Sequence, residues 1–415
     1  MNNPSKYKLS RVSEILICVF YTWYFLPVCN VLFWSDPFKL LTMVCLIAGL
    51  TYWYFLNGLR LNLMLVAVLG YMAVFTLLWI LGIGDSHAHI RISFMFWGTA
   101  LTYAVLNEEA RLRVGKYLLA LFIVTYVTSA IGVFLDNGAA RTIAHGADVD
   151  LLRRFKMKNI ASIYLFQCSV FFVPIFWILP QTLKAKIGAG VLLSASFFVL
   201  VNASFTISLF MFLFTLFLSV ALKEQVKAKR FVVASLLGAA LLAVFLNGAE
   251  LLTMAGRAVK SDSVSVRLFE LRDMIYLGQN TGDAALRNEL YRASLRTFGE
   301  NFFGVGPNYS YIKFDDGIGH HSQVLDDLAR YGVWGLAFYI VFILGYYLNL
   351  KDEWAKLGRP QIALVITVVY LCFLIFNLGF RSADEAIIAL FIMPILPSML
   401  LKRMENTRDD ARRIY

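Results

Sequence analysis

The chain has 415 residues, of which 59% are hydrophobic, 15% aromatic and only 16% charged. A soluble protein carries roughly 25% charged and 45–50% apolar residues, so a water-soluble globule is excluded. The formal net charge of +11 lies mostly in segments between apolar runs, with no basic stripe interleaved with aromatics, so nucleic acid is set aside as a partner.

Backbone polar groups in hydrocarbon must be paired within their own segment, so apolar stretches of about 20 residues read as spanning helices. Lys6, Lys8 and Arg11 precede the first apolar run. No small-residue cleavage site follows it, and it is expected to be retained as a first span. Twelve spans are expected, approximately 12–34, 38–57, 62–84, 90–107, 115–135, 159–180, 185–203, 205–222, 230–247, 331–350, 361–379 and 386–401. The fold class is therefore all-α, a polytopic helical membrane protein with about 12 transmembrane helices. Spans one to nine fall in residues 1–247, interrupted by a basic loop at 136–158. A large polar loop occupies 248–330, spans ten to twelve 331–401, and a solvated tail of alternating charge 402–415.

With the N-terminus inside, 21 of the 38 Lys and Arg residues fall in inner segments. The short outer loops hold only Lys39, Arg91 and Arg381. Cytoplasmic loops carry the excess of Lys and Arg, so both termini are expected in the cytoplasm. The basic residues of 136–158 and of 248–330 then lie on the outer side, where long loops are exempt from the charge rule.

The span interiors read as clean of charge apart from Glu14. Transporters usually need ionisable groups at mid-membrane, which argues against transport. Cys18, Cys29, Cys45, Cys168 and Cys372 all fall in apolar runs and read as small apolar fillers. His87, His89, His145, His320 and His321 all fall on the outer side. His87-x-His89 has no Asp, Glu or Cys spaced to complete a metal set, so no metal site is expected.

In the large loop, residues 264–277 have helical periodicity. After a break at Gly278–Gly282, Asp283 suits an N-cap for a second helix over 284–298. Arg287, Tyr291, Ser294 and Phe298 share one face of that helix, and Gly299 can end it. Gly304-Val-Gly306-Pro307 reads as a turn needing positive φ or close backbone approach. From His321 an amphipathic helix with Leu325 and Leu328 on its apolar side leads into the tenth span. Asp315-Asp316 and Asp326-Asp327 read as solvated surface pairs.

The ordered set of Arg287-x-x-x-Tyr291, Gly304-x-Gly306 and His321-x-x-x-Leu325-x-x-Leu328-Ala329-x-x-Gly332 resembles the O-antigen ligase and O-antigen or capsule polymerase superfamily of bacterial membrane glycosyltransferases. The motif region covers about a fifth of the chain, and the span pattern covers the rest. The resemblance implies transfer of a glycan from undecaprenyl diphosphate onto an acceptor sugar at the periplasmic face of the inner membrane, without a cofactor. Matched position by position, His321 falls on the catalytic histidine and Arg287 on the loop arginine. Ser322 stands where the family often has Asn. The stretch Ser204-Phe205-Thr206 lacks the arginine of a Ser-Arg-Thr-like turn, so Arg153, Arg154, Lys156 and Lys158, just before the sixth span, are candidates for its role.

The chemistry is consistent with that reading. A sugar hydroxyl is a poor nucleophile, and a histidine near neutral pH serves as its base. A diphosphate leaving group needs forked, charge-assisted arginine bonds. His321 and Arg287 are the expected catalytic residues. Arg267, Tyr291, His320, Arg153, Arg154, Lys156, Lys158 and Asn159 are the expected substrate contacts. The expected partners are the undecaprenyl-diphosphate-linked glycan, an acceptor glycan, membrane lipids and a chain-length regulator. A polymerase, extending a lipid-linked repeat unit, is favoured over a ligase acting on lipid A–core. The grounds are the Arg267 and Arg287 layout and the missing arginine. A transporter of lipid-linked sugars is the third alternative.

Overall fold

A computed structural model describes residues 4–33, 35–81, 86–136, 139–145, 149–180, 182–203, 206–223, 247–258, 262–278, 282–306, 317–377 and 383–414. Among these the fold is helical, with no strand. The helices are α1 (Pro4–Phe25), α2 (Pro27–Leu32), α3 (Asp36–Asn57), α4 (Leu63–Ile80), α5 (Ser86–Val105), α6 (Glu108–Leu135), α7 (Ala139–His145) and α8 (Val149–Met157). A broken segment follows as α9 (Ile163–Gln167), a tighter turn Cys168–Phe172 and α10 (Val173–Ile178). Then come α11 (Leu183–Asn202), α12 (Thr206–Lys223), α13 (Gly248–Ala258), α14 (Asp262–Tyr276), α15 (Gly282–Glu300), α16 (Gln323–Ala355), α17 (Gln361–Phe376), α18 (Ala383–Ala386) and, after a wide turn Ile387–Ile392, α19 (Met393–Ile414).

Five helices are long and apolar enough to cross a membrane: Pro37–Phe55, Glu108–Leu135, Leu183–Asn202, Gln323–Ala355 and Asp384–Arg403. Shorter apolar helices cover Leu63–Leu78, Ile163–Ile178, Ile207–Lys223 and Gln361–Phe376. The span expected at 230–247 lies outside the described residues but for its last. The span expected at 159–180 is the broken segment α9–α10, and the one expected at 12–34 is divided at Pro27 between α1 and α2. Pro27 removes a backbone donor, so a helix starts there at no cost.

The bundle is centred on the apolar part of α16, which packs against α4 and α17. Its core is aromatic. Phe338, Phe342, Tyr346 and Tyr370 form a run of ring contacts with centroids 5.2–6.2 Å apart. Gly345 brings α16 against the start of α4, where an added Cβ would lie 2.7 Å from the Leu63 carbonyl carbon. Small residues permit this approach where helices lack a hydrophobic driving force between them. Glu14, nearly fully buried, ties α1 to α6. Arg113 Nε and Nη2 donate to its two carboxylate oxygens at 2.9 and 2.5 Å.

Glu385 is also fully buried, just before the last expected span at 386–401, and accepts a hydrogen bond from Gln167 Nε2. One expectation about charge is corrected here. Asp326 and Asp327 are each 1% exposed. They are buried partners, not a solvated pair, because donors from three other parts of the chain converge on them. Asp315 and Asp316 lie outside the described residues.

The polar arm and its candidate active site

Helices α13, α14 and α15 form an arm in which each packs on the next, and α15 packs on α16. Gly256 lets α13 approach the Phe269 ring, and Ser265 Oγ donates to its carbonyl at 2.7 Å. α14 and α15 occupy the ranges predicted from periodicity, each a little longer.

The face predicted for α15 is the one that meets the rest of the site. Tyr291 donates to the Phe376 carbonyl at 3.1 Å, at the end of α17. Arg287 donates to the Tyr291 hydroxyl. Burial pushes that hydroxyl up from its ordinary value, and the Arg287 charge opposes the shift. Ser294 Oγ donates to Asp326 Oδ1 at 2.7 Å and accepts from the Gly319 amide at 2.9 Å. Thr297 Oγ1 donates to the Gly317 carbonyl at 2.8 Å. The segment 317–322 is thereby pinned along α15. Gly319 makes the contact possible, since a Cβ there would lie 2.8 Å from Leu290 Cβ.

The two histidines end this segment. His320 has the left-handed φ of 57°, and its amide donates to Asp326 Oδ1 at 3.2 Å. His321, half-buried, stands just before Ser322. The helix does not open at His321 as expected. Ser322 is its N-cap, accepting from the Leu325 amide at 3.1 Å, and the helix begins at Gln323. Asn and Ser cap equally well, so Ser322 keeps this capping role where the resembling family often has Asn.

Beneath the histidines lies a polar cluster the sequence reading missed. Asp327 Oδ2 accepts from Tyr71 at 2.9 Å, Tyr339 at 2.7 Å and Gln323 Nε2 at 2.8 Å. Arg330, 3% exposed, approaches Asp327 Oδ1 at 3.5 Å and His320 Nδ1 at 3.1 Å. A second chain of bonds runs inward. Gln323 donates its amide to the Asn377 carbonyl at 2.8 Å, and Asn377 Nδ2 donates to Gln167 Oε1 at 3.3 Å. The four-residue spacing of Gln323 and Asp327 was the available signal, but helical spacing alone does not show which face is buried.

The Gly-x-Gly turn has a backbone cause. Gly332 breaks α16 at φ 58°, ψ −140°, separating a first segment, 323–331, from the apolar part that follows. The break frees the carbonyls of Ala329 and Arg330, which accept from the amides of Val305 and Gly306 at 3.0 and 2.9 Å. The Val333 amide donates back to Phe302 at 3.0 Å. Gly304 and Gly306 both have φ 88°. A Cβ at Gly304 would lie 2.6 Å from the Arg330 carbonyl carbon. Pro307 lies outside the described residues.

Other expected contacts are placed elsewhere. Arg153, Arg154 and Lys156 lie on α8, which packs on α2 and α7. Arg153 and Lys156 line a cavity of about 560 Å³ with Leu32, Phe38 and Leu152. Burial and the charge of Lys39 lower the Lys156 ammonium from its ordinary value. Lys158 follows α8 and is exposed. Asn159, at φ 56°, holds the next turn: its Nδ2 donates to Thr128 Oγ1 at 3.0 Å. Arg267 lies on α14, and its side chain is outside the described residues, as are those of His87, His89 and His145.

The fold and site define a multi-pass helical membrane protein that carries a helical arm docked over a buried Asp–Arg–His cluster. Residues 189–340, the segment holding this arm and most of the cluster, are similar to the family model described as O-Antigen ligase. No curated protein matches the chain.

Proposed function

We propose that the protein is a polymerase that transfers a glycan chain from undecaprenyl diphosphate onto a lipid-linked repeat unit, at the periplasmic face of the bacterial inner membrane. His321 takes the proton of the acceptor hydroxyl. The hydroxyl oxygen attacks the anomeric carbon, whose bond to the diphosphate breaks. Undecaprenyl diphosphate leaves with the electron pair, and Arg287 offsets its charge. Arg267, Tyr291 and His320 are read as further substrate contacts. No metal takes part in this scheme.

The observation that carries the reading is the docking of the 317–322 segment on α15, through the Ser294 bonds to Asp326 and Gly319. It joins the histidine turn to the arginine helix in one rigid unit. Preorganised groups of this kind are what a displacement with a charged leaving group needs. The cationic, apolar-walled cavity beside Arg153 and Lys156 supports a lipid-linked acceptor, with Arg154, Lys158 and Asn159 around it.

A second reading, ligation of the same donor glycan to lipid A–core, is favoured by the description of the matching family. Deletion of the gene separates the two on a gel of surface polysaccharide. A polymerase is expected to leave one repeat unit and no ladder. Loss of every repeat from lipid A, with polymer accumulating on its lipid carrier, establishes the ligase instead. An unchanged ladder overturns both.

A further inference from the structure

At the end of α16 remote from the histidine turn, a cavity of about 90 Å³ is lined by Arg60, Glu108, Arg111, Glu353 and Lys356. These residues come from the α3–α4 connection, the first turn of α6 and the end of α16. All three places belong to segments that the charge rule puts in the cytoplasm. The stretch of α16 from Val333 to Glu353 rises about 30 Å at ~1.5 Å per residue. That matches the hydrocarbon thickness of a bilayer, so the cavity falls at the opposite membrane surface from the Gly332 break.

The acids of this cavity do not answer its arginines. Glu353 accepts from Lys356 at 2.7 Å and from Ser398 at 3.4 Å. Glu108 is exposed in the first turn of α6, where the positive end of the helix favours it. Among the described residues neither acid forms an ion pair with Arg60 or Arg111. Arg111 is half-buried and packs over the Tyr103 ring, with Cζ 4.3 Å from its centroid. Its Nε–H is buried with no hydrogen-bond partner. A buried donor left unpaired is costly, and one on a guanidinium more so. Two guanidinium groups thus share a small cavity that lacks an acceptor for them.

We propose that this cavity binds the headgroup phosphate of an anionic phospholipid of the cytoplasmic leaflet, held between Arg60 and Arg111. Guanidinium forks match phosphate oxygens, and basic pockets between spans on this side of a membrane take lipid headgroups. Pro394 and Ile395 add an apolar side on α19, which suits a lipid over a free anion. The bound phosphate cross-links the α3–α4 connection to α6 at the end of the bundle away from the histidines. The site stands apart from the proposed reaction and does not depend on it.

The test is native mass spectrometry of the full chain, titrated with phosphatidylglycerol, phosphatidylcholine or inorganic phosphate. The wild type is expected to prefer phosphatidylglycerol to phosphatidylcholine by about tenfold or more, since each arginine near the surface contributes about fivefold. Arg60→Gln and Arg111→Gln are each expected to weaken phosphatidylglycerol by about fivefold. Lys351→Gln removes an exposed cation at the same end of α16, outside the cavity, and is expected to change binding less than twofold, on the order of a screened surface charge. If Arg111→Gln does not fold, Arg111→Lys replaces it, since it keeps the charge and removes the fork and the Nε–H. Equal losses from Lys351→Gln and the arginine variants mean diffuse attraction to the surface and overturn the site. Binding of inorganic phosphate that the arginine variants abolish, with no preference among the lipids, assigns the cavity to a free anion and overturns the lipid. Phosphatidylglycerol binding that no arginine variant alters overturns the proposal outright.

Discussion

Arg330 Nη2 and His320 Nδ1 meet at 3.1 Å. A guanidinium has donors only, so Nδ1 accepts, and His320 is neutral with its proton on Nε2. The neighbouring amide of His320 is held by Asp326. His320 is thus engaged as an acceptor toward Arg330, which agrees with the proposal that His321 is the base.

The division between the histidines is directly measurable. His321→Ala is expected to lower the transfer rate by ~10²–10⁴-fold, the usual contribution of a positioned base. His320→Gln, which keeps a donor, is expected to lose less than tenfold. Rates are compared at equal amounts of purified protein. Equal losses from both variants would move the base to His320.

Asp327 holds the site together. Asp327→Ala strands the Tyr71 and Tyr339 hydroxyls and leaves Arg330 without its carboxylate in a buried setting. Breaking a buried pair from one side costs roughly 3–5 kcal/mol. Tyr71→Phe removes one bond and is expected to cost about 1 kcal/mol. Thermal unfolding in detergent ranks the two, and a smaller loss for Asp327→Ala than for Tyr71→Phe contradicts the network.

Asp326 ties α15 to the histidine turn through Oδ1, which accepts from Ser294 and from the His320 amide. Asp326→Ala leaves both donors unpaired and is expected to cost about 1–3 kcal/mol. Asp326→Asn keeps the acceptor and is expected to cost less. Thermal unfolding in detergent that ranks the two variants the other way contradicts this role.

The glycines separate two costs. Gly278, at φ 63°, has nothing within 4 Å of a Cβ, so Gly278→Ala carries only the left-handed penalty of about 1–2 kcal/mol. Gly332→Ala adds a collision with the backbone of Phe303 and Gly304. It is expected to lower the melting temperature further and to release the Gly304–Gly306 turn. Similar losses at the two positions would mean that the turn yields freely.

The helical class and the two arm helices were legible because hydropathy and 3.6-residue periodicity are local sums along the chain. The shared face of Arg287, Tyr291 and Ser294 followed from the same geometry. Helix starts were less legible. The helix placed at His321 begins two residues later because Ser322 caps it, and a cap competes with its neighbours on conformation, not on hydropathy. The burial of Glu385 is not legible in the sequence, because an acid at the edge of an apolar run has the same local pattern whether it meets water or Gln167.

What the sequence determined by itself is the membrane character, the helices and the order Arg287, Gly304, His321. Each depends on residues within a few turns of one another. Only the tertiary structure decided that Asp326 and Asp327 are buried, that Arg330 faces His320, and that the break at Gly332 receives the Gly304–Gly306 turn. Burying a carboxylate requires donors to converge on it, and those of Asp327 come from as far away as Tyr71, 256 residues along the chain. No local pattern records such a partner.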